Sequence, residues 1–329
     1  MTIYQFISKF PTEESAISHF YQIRYNGILT CPHCGSTDKV YRCNNRIKAC
    51  RCKNCDNMFS PFKDTIFEKS TTDLRKWFLA IHLLLNARKG FSAKHLQREI
   101  GVTYKTAWSM LNKIRLAMGN ESDRKAFSKI VEVDETYIGG KGQKYPKSRS
   151  TGEYLKRPKR KLGRATDKPV VMGIKERESG RAYAQVMLFD VSVKGKAKRL
   201  SGPQLKAVID KVCKDGCTVI SDDYPGYKIL DKKERIDISL LDGDAPPIPR
   251  YVHHTVCHKA GRFTAGPGIH TNGIEGFWAG LKRGHYGVYH SMSEKYLLGY
   301  LAEFCFRQST RSLPPFEVFD LLLKQSVLK

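Results

Sequence analysis

Two Cys-x-x-Cys pairs, Cys31-Pro-His-Cys34 and Cys52-Lys-Asn-Cys55, stand either side of a hairpin-like stretch through Asn44-Asn45. Paired knuckles at this spacing bring four thiolates to the corners of a tetrahedron, a soft donor set that suits Zn²⁺. Four like charges in so small a core need the metal to hold them together, and no ligand position is left open, so its role is structural. The plain alternative is four free cysteines. His33, Cys43 and Cys50 are left over and read as packed or solvated residues of the same module. A short helix starting near Pro11-Thr12-Glu13-Glu14 and carrying Ile17, Phe20 and Tyr21 packs on it.

Lys and Arg number 57 and Asp and Glu 32 in 329 residues, a net charge of +25. That excess asks for a polyanionic partner, and 41% hydrophobic residues argue for a folded chain of two to three domains. The longest apolar run, Trp77 to Ala87, contains His82 and Asn86 and falls short of the roughly 18 residues of a membrane span. Met1 to Phe10 lacks the layout of a secretory signal, so a reducing, cytoplasmic setting is expected and the cysteines read as thiols or metal ligands.

After the cysteine module the period changes. Leu74, Trp77, Phe78, Ile81 and Leu85 recur at helical spacing. Ser92 then caps a short helix with Leu96 and Ile100, Gly101-Val102 turns, and Thr103 caps a second helix with Ala107, Met110, Leu111 and Ile114. This is a helix-turn-helix pattern whose outward residues Tyr104, Lys105, Trp108, Ser109 and Lys113 face a DNA groove. An ordinary three-helix bundle shows the same pattern.

Farther on come short strands at 130–135, 170–174, 182–189 and 217–220, helices at 203–212, 274–282 and 293–308, and a tail helix at 316–323. Lys141 to Arg164 holds ten basic residues and one acid and reads as a basic loop, its run Lys156 to Lys161 suited to phosphates. Three acids sit at element ends. Asp134 ends the first strand and shares a face with Ile130 and Glu132, while Glu135 points the other way. Asp222 ends a later strand, and Glu275 opens a helix on which Ile274, Phe277, Trp278 and Leu281 form the buried stripe and Glu275, Ala279 and Lys282 another side. Singly, Asp134 and Asp222 read as turn formers, and Asn272-Gly-Ile-Glu275 reads equally as a capping box. Jointly, three acids on separate elements can hold two divalent ions about 4 Å apart beside a phosphodiester.

The order of a CxxC/CxxC ribbon, a helix-turn-helix, VDETYIGGK (Val133 to Lys141), SDDYPGY (Ser221 to Tyr227) and HTNGIEGFWAGLKRGHYGVYH (His270 to His290) resembles the bacterial insertion-sequence transposases with an ISXO-two-like catalytic domain. The resemblance spans nearly the whole chain. It implies an α/β chain with an RNase H-like (retroviral-integrase) catalytic core preceded by a zinc ribbon and a helix-turn-helix. The expected layout is an N-terminal helix and zinc ribbon at 1–70, a DNA-binding helix-turn-helix at 71–126, and the catalytic domain at 127–329 with the basic loop at 141–168. By the same resemblance Asp134, Asp222 and Glu275 form a DDE triad for two Mg²⁺ or Mn²⁺ ions, Lys282 is the trailing basic residue, and Cys31, Cys34, Cys52 and Cys55 hold Zn²⁺. His258 and His270 resemble histidines near the family's site and stand equally as structural residues. The implied partners are double-stranded DNA, as terminal inverted repeats and as target, and further copies of the chain on DNA in a bacterial nucleoid. A catalytically inactive, domesticated zinc-ribbon regulator is the alternative function, and a nuclease without strand transfer a third.

Overall fold

The computed structural model describes residues 1–43, 46–119, 126–139, 148, 150–153, 168–187, 200–234, 248–257 and 264–327. The basic loop, apart from a few residues, its run Lys156 to Lys161, and His258 lie outside the described residues. The chain divides into two compact units, residues 1–123 with 310–329, and residues 124–309. Among the described residues no helix is long and apolar enough to cross a membrane.

The first unit opens with α1 (Ile3–Lys9), which periodicity does not reveal because it is only seven residues long; its signal is a capping box in which Thr2 and Gln5 satisfy each other's backbone N–H. α2 (Glu13–Tyr25) starts on a second reciprocal cap between Thr12 and Ser15 and ends at left-handed Asn26. β1 (Val40–Cys43), β2 (Arg46–Cys52) and β3 (Met58–Phe59) form an antiparallel sheet with Val40 opposite Cys52. Three helices follow: α3 (Leu74–Asn86), α4 (Ala93–Ile100) and α5 (Tyr104–Met118). Ser92 and Thr103 cap α4 and α5, and between them Gly101 takes φ 61°, a left-handed conformation that costs glycine little. Leu96, Ile100, Ala107, Met110, Leu111 and Ile114 are buried as the spacing requires, while Tyr104, Lys105 and Ser109 are exposed.

The tail helix, Pro315–Gln325, belongs to this first unit and not with the rest of the 127–329 region in which the family resemblance includes it. Its apolar side explains the difference. Phe319 packs between Phe10 and Phe78 with ring centroids 5.8 and 5.4 Å away, and Asp320 meets His19 at 2.8 Å.

The second unit is built on a five-stranded sheet of order β10-β7-β4-β5-β6. β4 (Ile130–Tyr137), β5 (Val170–Glu176) and β6 (Ala182–Met187) run antiparallel in sequence, and β7 (Thr218–Asp222) and β10 (Val252–Val256) run parallel to β4. β8 (Lys233–Glu234) and β9 (Ile248–Pro249) form a separate short ladder. Strand alternation divides the core into two. Val131, Val133, Val170, Met172 and Ile174 pack with Leu205, Val208 and Ile209 of α6 (Gly202–Val212). Val171, Ala182 and Ala184 pack with Ile274, Phe277, Trp278 and Leu281 of α7 (Asn272–Gly284) and with Leu297 and Leu301 of α8 (Glu294–Ser309). A π-helical turn, His285–Tyr289, continues α7. The chain is therefore a mixed α/β protein with a helix layer on each face of its main sheet.

Candidate functional site

The ribbon brings Cys31, Cys34, Cys52 and Cys55 together, with all four Sγ atoms within 4.8 Å of one another. Cys31 and Cys55 are 3.7 Å apart, and Cys34 and Cys52 3.5 Å. Zn–S bonds of about 2.3 Å at a tetrahedral angle put sulfurs about 3.8 Å apart, so the tetrad fits Zn²⁺. Cys50 is not a ligand: it is buried in the ribbon core, 3.8 Å from the Tyr21 hydroxyl.

In the second unit β4 and β7 are parallel neighbours with Glu132 beside Ile220. β4 runs on to Tyr137, so Asp134 lies inside the strand and not at its end as the sequence suggests; two residues farther along that register it comes level with Asp222, the last residue of β7. Burial first, and then the charges of Glu135, Asp222 and Glu275, together raise the Asp134 carboxyl to about 7. A single carboxylate thus feels the two other acids of the expected triad, which arrive from β7 and α7. Among the described residues only the cysteine tetrad has its ligand atoms within 4.8 Å of one another, so the three carboxylates are near but not collapsed into a single-ion cage.

Each acid is oriented by neighbours. Asp222 accepts the Tyr224 backbone N–H at 3.1 Å. On the other face of β7, Ser221 donates to the Asp222 carbonyl at 2.8 Å and meets His253 Nε2 at 2.9 Å, and His253 Nδ1 lies 2.7 Å from Asp231. Asp223 faces the Cys257 thiol at 3.6 Å. Glu135 turns away from Asp134, as alternation requires, and accepts the hydroxyl of buried Tyr227 at 3.0 Å. Burial, followed by the charges of Glu135, Asp134 and Asp222, holds that phenol well above its ordinary value and so keeps it a donor.

On α7 the N-cap is Thr271, not Asn272, and Glu275 is one position too deep for a capping box. Its carboxylate accepts the Thr271 hydroxyl at 3.1 Å. Glu275, Ala279 and Lys282 are exposed together, opposite the buried stripe. His270 Nδ1 lies 3.1 Å from Arg177 and 3.5 Å from Glu132, at the entrance to α7. Glu132 and Arg177 themselves carry no motif, and the one sequence signal for Glu132 is an acid at an inward position of a strand.

A model of the ISXO2-like transposase domain matches residues 127–239 and 249–309, and a transposase zinc-ribbon domain matches residues 11–57. A protein of Halobacterium salinarum, described as an uncharacterized protein in transposable element ISH50, is 26% identical over 328 residues, covering 98% of this chain and 99% of its own length. Among solved structures, the Drosophila P element transposase strand transfer complex is 11% identical over 74% of this chain; the chain spans 60% of that protein, with a TM-score of 0.28, too loose a likeness to argue from. The ISXO2-like match spans more than half of the chain by itself, and the chain belongs to the family of ISXO2-like transposases.

Proposed function

We propose that the chain is a DDE-type DNA transposase that binds the terminal inverted repeats of its own element and performs DNA strand cleavage and strand transfer in an RNase H-like core. The observation that carries the reading is the parallel pairing of β4 with β7, whose register brings Asp134 inside β4 level with Asp222 at the end of β7, in a chain of a transposase family. The strand order, a three-stranded antiparallel meander extended by two parallel strands with helices on both faces, supports the RNase H-like assignment.

Asp134, Asp222 and Glu275 would hold divalent ions, and an all-carboxylate donor set suits Mg²⁺ or Mn²⁺. Two ions bound there would supply positive charge to the attacking and leaving oxygens of an in-line displacement. The chain's own groups do the rest. Tyr224 and Thr271 orient the Asp222 and Glu275 carboxylates, and Lys282, two turns along α7 from Glu275, offers a cation to the DNA backbone. Water opens a phosphodiester at the element end, and the freed 3′-hydroxyl then attacks target DNA. Joining two ends calls for two or more copies of the chain on DNA. The outward residues of α5 (Tyr104, Lys105, Ser109) and the zinc ribbon would supply end recognition.

The test is incubation of the zinc-loaded protein with end-sequence duplexes and Mg²⁺ or Mn²⁺. Metal-dependent nicking and joined products that vanish in Asp134→Asn while binding survives support the transposase. Binding without nicking would favour the inactive regulator, and nicking without joined products a plain nuclease.

A further inference from the structure

A carboxylate buried inside a strand is costly unless its charge and lone pairs are met, so Glu132, 1% exposed in the middle of β4, calls for an account. Its partners all lead to the start of α7. One oxygen accepts Arg177 Nε at 2.7 Å, and the other accepts the Ile274 backbone N–H at 2.9 Å across 142 residues of sequence. The Arg177 guanidinium also donates to the carbonyls of Gly268 and, at 2.6 Å, His270. Lys175, two residues earlier on β5, donates to the Gly273 carbonyl at 3.1 Å. A Cβ on Gly273 would stand 2.7 Å from the Glu132 carboxylate, so the helix entrance approaches as closely as glycine permits.

Local capping does not explain this arrangement. Thr271 provides no side-chain cap to the helix backbone, because its hydroxyl is turned to Glu275. Glu132 fills that role from β4, where a negative charge also suits the helix N-terminus. The apolar stripe Ile274, Phe277, Trp278 and Leu281 docks α7 on the sheet, but apolar contact is non-directional and tolerates sliding along the helix axis. Directional bonds to Glu132 and Arg177 remove that freedom one residue before Glu275. Because Glu132 and Asp134 lie on the same face of β4, the strand that carries one acid of the triad also sets the position of another.

We propose that Glu132 and Arg177 are positioning residues, an ion pair between a buried carboxylate and a half-buried guanidinium that fixes the first turn of α7 and thereby the place of Glu275 relative to Asp134 and Asp222. The inference rests on the reading of those three acids as ligands of divalent metal.

The test uses the full, zinc-loaded chain as wild type, Glu132→Gln, Arg177→Lys and Asp134→Asn. Glutamine keeps an acceptor for Ile274 but loses the charge that holds Arg177, and lysine keeps the charge but loses the fork. In magnesium-free buffer, amide hydrogen exchange over 268–276 is expected to quicken in both clamp variants while β4 and β7 keep their protection. Mn²⁺ affinity, read from the free-ion paramagnetic resonance signal, is expected to fall about tenfold or more. The Mg²⁺ concentration for half-maximal nicking should rise by a similar factor, with a smaller loss of rate at saturating metal. Mn²⁺ affinity within about twofold of wild type in a folded clamp variant overturns the positioning role. If neither variant folds, the pair is a folding element and the proposal is overturned as well. A wild type that shows no Mn²⁺ binding sensitive to Asp134→Asn defeats the reading of the acids and this inference with it. Such binding, abolished in Asp134→Asn yet untouched in both clamp variants, defeats only the inference.

Discussion

Replacing Asp134 by Asn should make the metal-free protein more stable while abolishing nicking. The Asp134 carboxyl rises from 3.8 to about 7, through burial first and then the charges of Glu135, Asp222 and Glu275. At about 1.4 kcal/mol for each tenfold change in proton affinity, that rise sets a ceiling of roughly 4 kcal/mol on the cost of ionising it in the fold. Water reaching the half-buried Asp134 and the exposed position of Glu275 reduce that cost, so about 2 kcal/mol is expected. The sign follows from linkage: a raised folded-state pKa favours the protonated form, so its contribution is complete below about pH 4 and is lost as pH rises through about 7. Asparagine cannot ionise and keeps its stability at both ends. The variant should therefore melt roughly 4–8 °C above wild type at pH 8 and close to it near pH 4.5, in zinc-retaining buffer without magnesium. Scanning calorimetry on both proteins at both pH values makes the measurement, and millimolar Mg²⁺ should narrow the gap by stabilising wild type alone. An Asn variant that melts at or below wild type at pH 8, or one whose advantage is the same at both pH values, refutes the argument that ionising Asp134 in this buried, acid-rich position costs stability.

Cys52→Ser should abolish stoichiometric zinc, measured by metal analysis of the purified chain, and expose the ribbon to proteolysis, because one sulfur of a closed tetrad is lost. Gly173→Ala, directly opposite Asp134 on β5, should cost about 1–3 kcal/mol in chemical denaturation, since a Cβ there would come within 2.4 Å of the Trp278 ring and push α7 off the sheet. Phe319→Ala should cost about 3–5 kcal/mol in the same assay, by emptying the aromatic cluster with Phe10 and Phe78 that holds the tail helix in the first unit.

What the sequence discloses is what local chemistry specifies. Ligand spacing reveals the cysteine tetrad, caps at Ser92 and Thr103 with a glycine between them reveal α4 and α5, and helical period places Glu275 and Lys282 opposite the stripe of α7. Elements held by distant partners are not disclosed. The tail helix reads as apolar on one side, but nothing in its own residues says that Phe10 and Phe78, some three hundred and two hundred and forty residues earlier, will cover it. The start of α7 reads as a capping box because Asn272 and Glu275 have the right spacing, whereas its cap comes from β4. Propensity cannot see a hydrogen bond that spans the fold.

The acidic site depends on a choice that alternation makes twice. β4 carries Asp134 and Glu135 in succession, and Asp222 at the end of β7 is followed at once by Asp223, so each strand offers an acid to either face of the sheet. Val131 and Val133 settle the matter on β4 by packing on the α6 side, which turns Glu132 and Asp134 toward α7 and leaves Glu135 to Tyr227. Val219 does the same for β7, sending Ser221 toward His253 and Asp222 the other way. A one-residue slip of either strand would bury valines where acids belong and present Glu135 or Ser221 to α7, so the register that makes the core also makes the site. The second acids are not idle duplicates: the unused carboxylate Glu135 ties Tyr227 to β4 from the α6 side while its charge still bears on Asp134. Placement of the three acids in this chain is therefore a by-product of hydrophobic register, and the proposed clamp of Glu132 acts at the one point register cannot reach, the axial position of α7.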